Sequence, residues 1–240
     1  SGALGAAVGA ALAVNRIGSR TTADMVGITL ANFFLGQGYG TLTADDVLLT
    51  AESDNQINTV AVGMSASAVA GVQGSVAVSV IESQTHATMG GDNYVTNVIA
   101  NDSVAVTANS RDRIRSLAGA VSLGALGVGA AGGVVTNIVT SSTTAGIMGA
   151  DSHVNALGKG SGLTVRDATL DSAPNLMSIT ELSDSVLGDA RFDTRTVKGL
   201  AVQATAIQQI GALTAVAGGG AAGAAGASIN VDKIGGTTRA

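Results

Sequence analysis

Two histidines, His86 and His153, are the only imidazoles in this 240-residue chain. General acid–base work would need one of them within hydrogen-bond reach of a carboxylate or hydroxyl. A Ser–His–Asp set can be assembled on paper from His153, Asp151 and any serine, but no G-x-S-x-G elbow is present to present a nucleophile. The sequence therefore reads as carrying no catalysis. Two stretches, Gly127–Gly132 and Gly218–Gly223, match G-x-G-x-x-G. A dinucleotide site needs that turn between a strand and a helix. Here each run leads into another strand-like segment, Val134–Ile138 or Ser228–Val231, so no cofactor is expected. Asp45 and Asp46 lack the spacing of calcium loops. No metal site is expected; Asp184, Asp189 and Asp193, in an Asp-rich stretch, are the residues that weak calcium binding would use. Cysteine is absent, which excludes disulfides and thiolate metal sites.

The elements around these residues are repetitive. Ile17-Gly-Ser-Arg-Thr21-Thr-Ala23-Asp-Met25-Val-Gly27 returns at Ile81 (Thr85, Ala87, Met89, Gly91) and at Val139 (Thr143, Ala145, Ile147, Gly149). A fourth copy starts at Ile234, so the steps are 64, 58 and 95 residues. A second motif alternates with the first: Val47 leads to Ile57, Val104 to Ile114 and Leu200 to Ile210. After each comes a Gly/Ala-rich run. Such self-similarity marks a repeat architecture. His86 occupies the position of Thr22 and Thr144, which reads as a surface substitution. The run Arg111-Asp-Arg113-Ile-Arg115 reads as a solvated outer face around an inward Ile114.

Period two decides the element type. Val76, Val78 and Val80 alternate with Ala77 and Ser79; Val60, Val62 and Met64 alternate with Ala61 and Gly63. Thirty-four glycines argue against helix, each costing about 1 kcal/mol inside one. The predicted fold is all-β, a β-solenoid (parallel β-helix) of imperfect units of roughly 60 residues, with a thin Gly/Ala-rich core. A β-sandwich or prism is the alternative. Residues 1–240 form one continuous segment, with units at about 1–70, 71–130 and 131–223 and a partial unit at 224–240. Residues 167–199 form an insertion: a projecting loop or, preferred, one or two extra coils with Leu170, Met177, Ile179, Leu182 and Val186 inward. Two or three coils per unit are expected, giving a rod on the order of 50 Å. Gly27, Gly91 and Gly149 are expected at corners with positive φ. Thr21, Thr85, Thr143 and Thr238 are expected to stack or to mark a turn.

Charge narrows the partners. Charged residues are only 12% of the chain and the net charge is −5; with three lysines there is no basic footprint for nucleic acid. Leu117–Val135 is uncharged and long enough to span a bilayer as a helix, but its recurrence in register reads as a packed inner sheet, so membrane insertion is not expected. Ser1 is no start residue, and the half-units at both ends read as cuts in a longer chain.

The pattern of small-residue run, V-x-[IV] strand, T-x-A-x-[IM]-x-G and V-x-V-x-A strand is carried by Ile81–Gly91 with Val104–Ile114 and by Val139–Gly149. It resembles the repetitive passengers of leukotoxin-type filamentous adhesins, within the filamentous-haemagglutinin-like class exported by type V secretion. The resemblance implies a secreted or surface-held β-helical rod used in adhesion and carries over no catalytic residues. The partners it implies are neighbouring repeats, identical chains, and a host or neighbouring-cell surface. A fibre subunit stacking head to tail is the alternative. A passenger enzyme sited in the insertion and a membrane-inserting toxin segment rank below it.

Overall fold

In the computed structural model, the structure describes residues 2–3, 5–25, 28–29, 41–91, 94–149, 152–169 and 191–240. The described chain runs through β1 (Gly2–Ala3), β2 (Ala6–Met25), β3 (Ile28–Thr29), β4 (Thr41–Ala44), β5 (Val47–Ser67), β6 (Ala70–Gly90), β7 (Tyr94–Val95), β8 (Asn97–Ala100), β9 (Val104–Gly124), β10 (Val128–Met148), β11 (His153–Ala156), β12 (Leu163–Thr169), β13 (Arg191–Val197), β14 (Leu200–Gly220) and β15 (Gly223–Arg239). No helix occurs among the described residues. The fold is all-β, with long parallel strands in stacked sheets compatible with a parallel β-solenoid.

Each turn of the chain lays one strand on each of two broad parallel sheets. Sheet A has the order β1-β5-β9-β14 and sheet B the order β2-β6-β10-β15. A short third sheet, β4-β8-β11, closes one side. At the opposite side, which we call the tip, each coil turns directly from sheet A into sheet B, as from Ser67 to Ala70 and from Gly124 to Val128.

The strand register reproduces the repeats in the sequence. Ile17 pairs with Ile81, Ile81 with Val139, and Val139 with Ile234. Val47 pairs with Val104 and Val104 with Leu200. One repeat is therefore one coil. This corrects the expectation of two or three coils per unit and of a 50 Å rod. Strands of 21 residues at about 3.3 Å per residue make the coil about 69 Å wide, while four levels at about 4.8 Å make it only about 19 Å tall. The molecule is a plate.

Period-two alternation buries one row of each strand between the sheets, and that interior is striped. Beside the third sheet lies an apolar corner of Val47, Ala51, Ala87, Met89, Val98, Val104 and Val106. Next comes a polar layer in which buried Asp112 accepts from Asn55 Nδ2 at 2.7 Å, Ser83 Oγ at 2.7 Å and Ser110 Oγ at 3.2 Å. The central layer is Ile57, Ile81, Ile114 and Val139, flanked by Ile17 and Ile210. Beyond it a hydrogen-bonded chain crosses back and forth between the sheets. Asn15 Nδ2 donates to Thr59 (2.8 Å), Thr59 meets Ser79 (2.7 Å), and Ser79 meets Ser116 (3.1 Å). Ser116 then donates to Asn137 Oδ1 (2.6 Å), and Asn137 Nδ2 donates to Asp232 (2.8 Å). A layer of Ala61, Ala77, Ala118 and Val135 follows. At the tip the backbones of the two sheets nearly touch, so a methyl group on Gly129 would collide with the carbonyl of Gly219.

Several expectations are refined. Asp112 is fully buried, so only part of the Arg111–Arg115 run forms an outer face; parity with inward Ile114 puts Asp112 inside. Arg111 pairs outward with Asp54. Thr85 and Thr143 form an inward, fully buried column in mid-strand, so these threonines stack and mark no turn. Gly149 has φ +100° as expected, but in the preceding coil the residue with positive φ is Gly90 (+89°), one place before Gly91. Gly27 lies outside the described residues. At the base of the 167–199 insertion β12 and β13 pair antiparallel, Leu163 with Val197 through Thr169 with Arg191. Residues 170–190, which join the two strands, lie outside the described residues. Arg166 reaches Glu52 at 3.1 Å, and Ala105 and Asn109, at outward positions of β9, are fully buried. The β12–β13 pair lies against sheet A. Leu170, Met177, Ile179, Leu182 and Val186 lie outside the described residues.

Candidate interaction surface

The residues singled out for chemistry do not converge. His86 stands on the outer face of β6, in register with Thr22 and Thr144. His153 opens β11 on the third sheet, and Asp151 lies outside the described residues. Asp184 and Asp189 also lie outside them. Asp193 sits in β13 opposite Asp167 and accepts from the N–H of Thr194 at 2.8 Å. Among the described residues no group of three or more His, Asp or Glu side chains is placed to hold a metal. The two G-x-G-x-x-G stretches lie at the tip turns between β9 and β10 and between β14 and β15, where Gly129 and Gly218 lie against the backbone of the opposite sheet.

Asp45 and Asp46 on one level and Asp102 on the next share one corner and act as turn caps. Asn101 Nδ2 donates to Asp45 Oδ1 at 3.0 Å, and the Ser103 N–H donates to Asp46 Oδ1 at 3.1 Å. Asp102, nearly buried, holds the segment 157–162 in place. Gly162 N–H donates to its Oδ2 at 2.6 Å, Ser103 Oγ donates to its Oδ1 at 3.1 Å, and Gly158 N–H donates to its carbonyl at 2.7 Å. The Gly162 N–H above all holds the Asp102 carboxyl below its ordinary range, against desolvation; Gly160 N–H, Ser103 and the charge of Lys198 add to the lowering.

The outer faces are divided. Toward the third sheet they carry charge and amides. Sheet A has Glu52, Asp54, Gln56, Arg111 and Arg113 there, and Arg111 pairs with Asp54. Sheet B has an open trough of about 800 Å3 where Gly18 and Gly235 leave gaps, lined by Arg20, Glu82, Gln84 and Lys233. Arg16 donates to Glu82 at 2.7 Å.

Toward the tip the outer faces are apolar. Sheet B presents Val8 (74% exposed), Leu12 (72%), Val14 (63%), Val72, Ile229 and Val231, with Val76, Val78, Val80, Val134 and Ile138 half-buried between them. Sheet A presents Val60, Val62, Met64 and Leu123. Leu126 in a tip turn is 77% exposed. No Asp, Glu, Lys or Arg occurs between Arg115 and Asp151 or between Lys198 and Asp232. The tip backbone is nonetheless satisfied from level to level: Val69 N–H donates to Gly5, Leu126 N–H to Ala68, and Ala222 N–H to Gly127. The uncharged stretch Leu117–Val135 is strand, turn and strand, and no described helix is long and apolar enough to cross a membrane.

Sequence reasoning found the inward columns but missed this outer block. The signal was present in the alternation itself: at Val76, Val78 and Val80 the larger residues take the outer row and Ala77 and Ser79 the inner one. No family model matches the chain, and no match is found among curated proteins or solved structures.

Proposed function

We propose that this chain is a structural segment of a bacterial secreted or cell-surface filamentous adhesin, exported by the type V route, and that it carries no catalysis. The observation that supports this reading is the level-by-level register of one coil per repeat, from Ile17 to Ile234, with the same residue types meeting at each level. A stack of this kind is extended by adding coils, because each level contacts only its neighbours. Its working surfaces are then the broad outer faces, which suits holding a ligand-bearing region away from a cell. The test is the mass of the native polypeptide on a denaturing gel, detected with an antibody to this segment. A mass far above 23.2 kDa is expected; a mass near that value overturns the reading.

A second reading, a fibre subunit that stacks head to tail, draws on the edges. β2 and β15 are the outermost strands of sheet B, and such edges template further pairing unless they are blunted. A mass near 23.2 kDa together with filaments that lengthen with concentration would favour it.

A further inference from the structure

We infer that the apolar block of sheet B is a docking face for a second copy of this chain, packed sheet against sheet with the strands of the two copies antiparallel. The inference concerns lateral association and stands whether or not the adhesin reading holds.

The block is four strands high. Its columns are Val8/Val72/Ala130/Ala225, Ala10/Gly74/Gly132/Ala227, Leu12/Val76/Val134/Ile229 and Val14/Val78/Thr136/Val231. A fifth column, Arg16/Val80/Ile138/Lys233, keeps apolar residues at its centre and a cation at each end. Same-face residues recur about every 6.7 Å along a strand and strands about every 4.8 Å across the sheet, so the block measures about 30 by 19 Å, about 600 Å2. That is at the upper limit of the largest apolar patch on ordinary monomers. Two such blocks in contact remove about 1,200 Å2 in total, the lower end of the range for stable specific interfaces. The surface is flat and periodic, uncharged in its first four columns and charged only at the two ends of the fifth, and sheets of this kind pack face to face about 10 Å apart.

Charge selects the orientation. If the strands of the two copies ran parallel about a two-fold axis, Arg16 of one copy would lie over Lys233 of the other, like charge on like. With the strands antiparallel, apolar block covers apolar block. The charged halves, with Arg20, Glu82 and the trough, then extend from opposite ends into water. In that arrangement the Val8 column of one copy faces the Arg16 column of the other.

The experiment is sedimentation velocity on the 240-residue chain, with Val78→Lys and Leu12→Lys on sheet B and Val62→Lys on sheet A, each checked by circular dichroism. The expected result is a dimer for the parent chain and for Val62→Lys. Either sheet B lysine should weaken dimerisation at least about 100-fold with an unchanged β spectrum; Leu12, on an edge strand and more exposed, is the variant to read should Val78→Lys fail to fold. Because the chain lacks cysteine, Val8→Cys and Arg16→Cys chains are expected to cross-link when mixed and not alone. A parent chain that stays monomeric in solution overturns the inference, as would a monomer that floats with phosphatidylcholine–phosphatidylglycerol vesicles. Assembly that survives both sheet B lysines overturns it in favour of edge stacking.

Discussion

Asp112 is the residue whose placement most constrains the interior. It is a carboxylate with no exposed surface, held by one amide and two hydroxyls. Deleting an acceptor strands its donors, at about 1–3 kcal/mol for each buried group left unpaired. Asp112→Ala is therefore expected to lower the urea midpoint clearly, and Asp112→Asn, which retains an acceptor oxygen, to lower it less. Equal losses would mean that volume, not hydrogen bonding, sets the requirement. Asp102 has a different dependence. Its carboxyl is depressed chiefly by the Gly162 N–H. A depressed carboxyl contributes stability above its unfolded-state range and loses it as pH falls through its folded-state pKa. Amide exchange at Gly158 to Gly162 should therefore accelerate, relative to the body of the sheets, as the solution is taken from neutral pH to below the ordinary carboxylate range. Asp102→Asn should abolish that pH dependence; a segment equally protected at both pH values would remove Asp102 from this role. Parity with Ile114 carried the signal for a buried Asp112, but the charged run around it reads as a solvated outer face. Asp102 carried no such signal, because its partners in 157–162 belong to the next coil and share no motif with it.

At the scale of the element, register is specified by the stripes. A slip of two residues preserves inward and outward faces, so alternation alone does not forbid it; only a slip of one does. What separates registers two apart is that each polar layer adjoins an apolar one. Moving β9 by two places would set Ile114 among Asn55 and Ser83, or put Asp112 into the isoleucine layer. Buried polar groups can thus act as register keys at some cost in stability. Ile114→Ala, at the centre of that layer and fully buried, is expected to cost about 2–5 kcal/mol. Ile210→Ala, on the outer strand β14 and only half-buried, should cost less. Chemical denaturation of the two variants measures the difference, and equal costs would deny the layer its central place. The repeats were readable because identical side chains stack at each level. The coil length was not, because natural strands average about 5–6 residues and those of 21 residues were divided into two or three coils. The antiparallel pairing at the base of the insertion was hidden for another reason: its two strands flank the 170–190 segment and meet only through register.

For the whole molecule the decisive quantity is width. A thin core of Ile, Ala, Ser and Gly gives little burial per residue, since each methylene contributes only about 0.8 kcal/mol. The plate offsets this by length: each level adds two strands of about 21 residues, every one hydrogen-bonded to the next level. A wide, flat coil also leaves broad outer faces, and the apolar half of sheet B follows from that geometry. The width can be measured directly in a chain with no cysteine of its own. Spin labels at Val72→Cys and Thr88→Cys occupy the same outer face of β6, 16 residues apart in one strand. At about 3.3 Å per residue they should lie about 53 Å apart, read by pulsed dipolar spectroscopy with unlabelled chain in excess so that contacts between copies do not contribute. Coils of 20–25 residues would wrap the same 16 residues around most of a turn and bring the labels within about 25 Å, given the same rise per residue. A short distance would therefore refute the plate and restore the narrow rod, whereas the long one requires a single coil per repeat and a face broad enough to dock.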